Sequence, residues 1–185
     1  PTLLSLLIVW LTWRLGAELS DAAKLPSYAR KIFLMVAALV AAIYPLYDTV
    51  LEMRTFGGYV ETFVLMLLLL LSALQLTRRW RVGTSRWERA LRWAGIGLIV
   101  GLGLWVDPLI ISAVAAAALW IVGFCVAETL RLKRQEAKRL GQAVLSILKE
   151  LLWALVAIPA CILGCAPAIY WGALHQWKNV TYILK

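Results

Sequence analysis

RTFGGYVETFVLMLLLLL, residues 54–71, decides the fold. Two glycines, a tyrosine and one carboxylate, Glu61, lead straight into an unbroken apolar run from Phe63 to Leu71. A charge at bilayer depth costs roughly 2.5–3.5 kcal/mol on insertion scales. The acid is therefore expected at the end of a membrane span, near headgroup level, rather than inside it. Gly57 and Gly58 suit a tight turn into the helix. In the first helical turn Glu61 gains a few tenths to ~1 kcal/mol from the helix dipole.

The rest of the chain extends this reading. It has 185 residues, is 63% hydrophobic and has a mean hydropathy of +0.82, where globular domains average about 45–50% apolar. The apolar residues fall in long blocks, which excludes an ordinary soluble domain. Six windows are predicted to span, at 1–16, 31–47, 60–77, 93–106, 108–128 and 144–171. The fold class is all-α, a polytopic bundle of five to six transmembrane helices in a single membrane domain over 1–185. The window 93–106 is short of the ~20 residues a span needs, so its helix starts earlier or forms a re-entrant hairpin with the next. Pro1 opens directly on an apolar run, and the last residues begin another. The chain is therefore expected to be a piece of a longer one.

Charge sets the expected orientation. The formal net charge is +9, and sixteen of the 19 Lys and Arg lie in the three segments 14–31, 78–92 and 131–149. Only Arg54, Lys178 and Lys185 fall elsewhere. The positive-inside rule puts the three basic segments in the cytoplasm. Tryptophans interleave these segments, and contact with anionic headgroups accounts for the charge, so no nucleic-acid partner is expected. Asp48, Glu52, Glu61 and Asp107 then share the outer face, in the short segments YDTVLEMRTFGGYVE and WVDP. Arg54 and Tyr59 join them there, and Asp48, Arg54, Tyr59, Glu61 and Asp107 are the candidate substrate-binding residues. The alternative for the acids is plain helix capping. The catalytic residues are not identifiable from the sequence.

Several local features read as packing. Gly97 and Gly101 form a small-xxx-small pair, expected to face a neighbouring helix closely. AVAAAALW, 113–120, suggests the same. Pro159, Gly164 and Pro167 are expected to kink or end the last span. LRLKRQEAKRLGQAVLSILKELLWAL, 130–155, begins as a basic amphipathic stretch expected partly on the membrane surface and flows into the last span, with Lys149 and Glu150 snorkelling or paired where it turns in. Cys125, Cys161 and Cys165 read as small buried residues, His175 as an interfacial polar group, and no metal site is expected. Ser-His-Asp, phosphate-loop and HExxH patterns are absent from the sequence. The apolar runs of the second, third and fifth spans carry almost no ionisable groups, which weighs against a transporter.

FGGYVETFVLMLLLLLSALQL (56–76), RWAGIGLIVGLGLWVDPLIISAVAAAALWIV (92–122) and ILGCAPAIYW (162–171) together resemble the middle section of the C-type integral-membrane glycosyltransferases, the group of the protein mannosyltransferases and lipid A aminoarabinose transferases. The resemblance implies transfer of a sugar from a polyprenyl-phosphate donor at the outer face of a bacterial plasma membrane. It puts the family's catalytic acid in an outer loop that would precede Pro1. A divalent cation, or Arg54, would then meet the donor phosphate while an acid orients the acceptor hydroxyl. Membrane lipid and a lipid-linked sugar are the implied partners. The competing expectation is a non-catalytic subunit packed in a larger membrane protein complex.

Overall fold

A computed structural model describes residues 2–43, 59–80, 85–135 and 137–175. Every regular element among them is helical: α1 (Thr2–Ala22), α2 (Ser27–Ile43), α3 (Tyr59–Trp80), α4 (Arg86–Val106), α5 (Ile110–Gln135), α6 (Ala137–Ala154), α7 (Ala157–Gly164) and α8 (Ala166–Leu174). Five stretches among the described residues are long and apolar enough to cross a membrane. The all-α membrane bundle expected from the apolar windows is the observed architecture.

The leucine run is the hub. α3 packs against α1, α4 and α5, and half of its apolar window is buried, more than in any other spanning helix described. Leu11 of α1 is fully buried against Val64 and Leu71. On another face Leu69 and Ala73 meet Ile110, Ala113 and Ala117 of α5. Ala113 and Ala117 lie four apart, so their methyls form one shallow stripe that lets the two backbones approach. Ser72 Oγ donates to Leu68 O of its own helix at 2.7 Å, whereas Thr77 Oγ1 donates to Leu74 O at 3.0 Å and accepts from Trp120 Nε1 of α5 at 3.0 Å, which ties the two helices together. The outer surface is apolar. Met35, Val36, Leu39 and Val40 of α2 are all more than half exposed, a face suited to lipid.

Several predicted boundaries need correction. α1 continues past residue 16 to Ala22, and α2 begins at Ser27 rather than 31; residues 44–47 of the predicted second span lie outside the described residues. α4 starts at Arg86 instead of 93, so at 21 residues it is a full span of about 32 Å and needs no re-entrant hairpin. Ser85 starts it: its Oγ accepts from Glu88 N at 3.2 Å, half of the reciprocal cap that a Ser-x-x-Glu spacing provides. The predicted single helix 144–171 is interrupted twice. Pro159 has no N–H to give Leu155 O, and Leu155, Val156 and Ile158 instead close tighter bonds three residues back, at 3.0–3.2 Å. Pro167 lies in the first turn of α8 after a second break at Cys165.

One connection is strained. α1 closes with Leu25 N donating to Ser20 O at 3.1 Å and Lys24 N to Asp21 O at 3.2 Å. This paired closure puts Lys24 at φ 53°, a site usually held by glycine. For an L side chain it costs roughly 1–2 kcal/mol.

The glycine expectation is realised on α4. A Cβ at Gly97 would collide with the Ala157 carbonyl oxygen, and one at Gly101 with that of Cys161. Reciprocally, a Cβ at Gly164 would lie 2.6 Å from Leu98 O. α4 and α7 therefore touch backbone to backbone, and Cys165 Sγ donates to Gly101 O at 3.2 Å. Residue numbers rise together along this contact, so the two helices run parallel.

Candidate functional site

That parallel pairing, with the ion pairs below, places the described helix ends at two poles. α3 begins and the α4–α5 hairpin turns at one pole, where Glu61 and Asp107 lie.

Glu61 is the third residue of α3. Its neighbours Val60 and Thr62 turn inward and are buried, while Glu61 is exposed. Among the described residues its carboxylate has no ion-pair partner. Asp107 is more committed. The chain leaves α4 in an extended conformation, with Asp107 at φ −160°, ψ 132°. Asp107 N still donates to Gly103 O at 2.8 Å, and its Oδ1 accepts from Leu109 N at 2.8 Å. It thus ends one helix and caps the next, with Pro108 between, where its missing N–H costs no bond. The hairpin closes because Gly103 leaves room for Ile110, which is fully buried against it. Tyr59 opens α3. Asp48 and Arg54 lie outside the described residues. No hydrogen bond or ion pair joins Glu61 to Asp107 among those described. His175, at the end of α8, stacks on Trp171 at 4.2 Å, and its Nδ1 lies 2.9 Å from Trp171 O.

Among the described residues no three His, Cys, Asp or Glu side chains converge as a ligand set would. The divalent cation implied for the donor phosphate has no built site there.

The opposite pole holds a network that the sequence reading did not assemble. Glu18 of α1 meets Arg78 of α3 at 2.6 Å, and Asp21 meets Arg30 of α2 at 3.1 Å. Glu88 joins Arg79 at 3.1 Å and Arg92 at 2.7 Å. Glu150 of α6, only 4% exposed, meets Arg89 at 3.2 Å and accepts from Trp93 Nε1 at 3.4 Å. Of the two alternatives expected for this pair, snorkelling fits the exposed Lys149, while Glu150 is paired with Arg89 of α4 rather than with Lys149. Arg89 and Trp93, four apart on one helical face, were the available signal. The ends of α1 and α3, the starts of α2 and α4, and Glu150 of α6 thereby share one pole.

No family model matches the chain, and neither the curated proteins nor the solved structures yield a match.

Proposed function

We propose that the chain is the central membrane scaffold of a glycosyltransferase that takes a sugar from a polyprenyl-phosphate donor at the acidic pole, with the basic pole cytoplasmic in a bacterial plasma membrane. One observation supports this reading. The three segments that carry the family resemblance are distant in sequence, yet they meet: Glu61 at the start of α3 and Asp107 in the α4–α5 hairpin share a pole, and Gly164 of the third segment packs on Gly101 of the second. In this scheme Glu61, exposed and without an ion-pair partner among the described residues, orients the acceptor hydroxyl. Asp107 fixes the hairpin, and Arg54 meets the donor phosphate with a charge-assisted bond.

The second reading is a non-catalytic membrane subunit. The capping bond from Leu109 N to Asp107 favours it, because that bond gives Oδ1 a structural role without any substrate.

A transfer assay on the full-length protein separates the two. Glu61→Gln should lower turnover about tenfold, the scale of one hydrogen bond to a charged group. Asn caps helices as well as Asp does, so any loss in Asp107→Asn reports the charge rather than the turn. Glu88→Gln, at the other pole, serves as control. Wild-type turnover and donor affinity in both outer variants would leave the subunit reading standing. Orientation is tested apart from activity: a cysteine placed at position 81 should resist impermeant thiol reagents applied to intact cells, and labelling from outside would invert the topology.

A further inference from the structure

Beside the strained turn at Lys24, the α1–α2 connection lines an open cavity of about 460 Å³. Lys24, Arg30 and Lys31 line it together with Asp21, and Trp13 and Leu34 are among the apolar residues beneath. Three cations face one carboxylate, and that carboxylate is already paired with Arg30 at 3.1 Å. Among the described residues neither Lys24 nor Lys31 has an anionic partner. A second cavity, of about 350 Å³, lies nearby on another side of Asp21, where Glu18 and Asp21 meet the single guanidinium of Arg78. That one offers no excess of positive charge, so the two cavities differ in sign although they share a pole.

The left-handed turn adds a second, independent observation. Glycine would close α1 without strain, yet a lysine occupies the position. A strained residue points towards a use for its side chain, and here the side chain is an ammonium on the rim of a basic cavity.

We propose that this cavity holds the phosphate of an anionic phospholipid headgroup. The phosphate oxygens would meet Lys24, Lys31 and the free edge of Arg30, while the glycerol end rests against Trp13 and Leu34. Basic pockets between membrane helices suit such headgroups. The site lies at the pole opposite Glu61 and Asp107 and does not depend on the proposed enzymatic function.

The test uses the whole chain, purified in a non-ionic detergent and titrated with phosphatidylglycerol or phosphatidylcholine, with bound lipid counted by native mass spectrometry. Phosphatidylglycerol should bind about tenfold more tightly than phosphatidylcholine. Lys24→Gly and Lys31→Gln should each weaken phosphatidylglycerol about fivefold, the factor corresponding to ~1 kcal/mol per basic residue at a membrane surface. Arg131→Gln, exposed and outside the cavity, should not. Lys24→Gly should simultaneously raise the Tm by relieving the turn, so weaker lipid binding in that variant cannot be a folding defect. Equal binding of the two lipids, or equal losses in Arg131→Gln and Lys31→Gln, would overturn the proposal in favour of diffuse attraction. Displacement of phosphatidylglycerol by millimolar inorganic phosphate would reassign the cavity to a soluble anion.

Discussion

Gly101→Leu should unfold or disassemble the second half of the bundle, with a loss of stability above about 3 kcal/mol. Overpacking a core typically costs 1–3 kcal/mol because side chains and backbone shift to make room. Here the obstacle is a carbonyl: the first added carbon at Gly101 already meets Cys161 O, and Gly164 Cα lies 2.9 Å away. The strain can be relieved only by separating α4 from α7. That separation would also break the bond from Cys165 Sγ to Gly101 O and expose the Gly164 notch. The molecule supplies its own controls. A Cβ at Gly95, on the same helix, or at Gly123 on α5, has no neighbour within 4 Å. Gly95→Leu should therefore be neutral or slightly stabilising, since glycine is about 1 kcal/mol worse than alanine within a helix. Thermal unfolding in detergent, followed by tryptophan fluorescence, reads both variants. An unchanged Tm for Gly101→Leu would mean that α4 and α7 are not in backbone contact.

The same contact marks the limit of what the sequence discloses. Gly97 and Gly101 announce a close neighbour through their spacing alone, but not which helix it is. The partner, α7, is separated from α4 by two other helices, and its own glycine, Gly164, stands beside cysteines and a proline that read first as a kink. Spans were legible because apolar runs must cover the bilayer. Their ends were less so, because hydropathy falls at the first arginine whereas the backbone goes on winding: α4 keeps Arg86, Arg89 and Arg92 in its first turns. Ser85 and Glu88, three apart, were the better guide. The central place of α3 was hidden for a different reason. A helix packed on several sides shows no polar face, so its leucines carry no periodic signal. At the candidate site, Asp107 could be read as the residue that turns the chain, since an acid before proline between two apolar runs has few other places to be. That Glu61 shares its pole depends on the order in which the helices alternate, which no single stretch of sequence contains.

Glu150→Ala should destabilise the protein by about 3 kcal/mol, the low end for removing one partner of a buried ion pair. The low end applies because Arg89 is 30% exposed, so water can take over part of the solvation of its charge. Glu150 itself is nearly sealed, and both of its oxygens are used, one towards Arg89 and the other by Trp93 Nε1. Its removal leaves a void beside Trp93, itself buried, and takes away α6's described polar anchor on α4. The effect should be regional. Beyond the break at Leu155 and Val156, α7 keeps its glycine contact, so hydrogen exchange should quicken in α6 while α4 and α7 remain protected. Glu150→Gln separates charge from hydrogen bonding: its carbonyl oxygen can still accept from Trp93 or Arg89, and its loss should be about half as large, since a neutral acceptor is worth roughly 0.5–1.5 kcal/mol against 1.5–3 for a charged one. Glu61→Gln, on an exposed carboxylate, should lower the Tm only slightly, by the loss of its small helix-dipole term, and gives the baseline. If Glu150→Ala matches that baseline, the carboxylate is hydrated in the membrane-bound protein, and α6 is held to α4 by apolar contact alone.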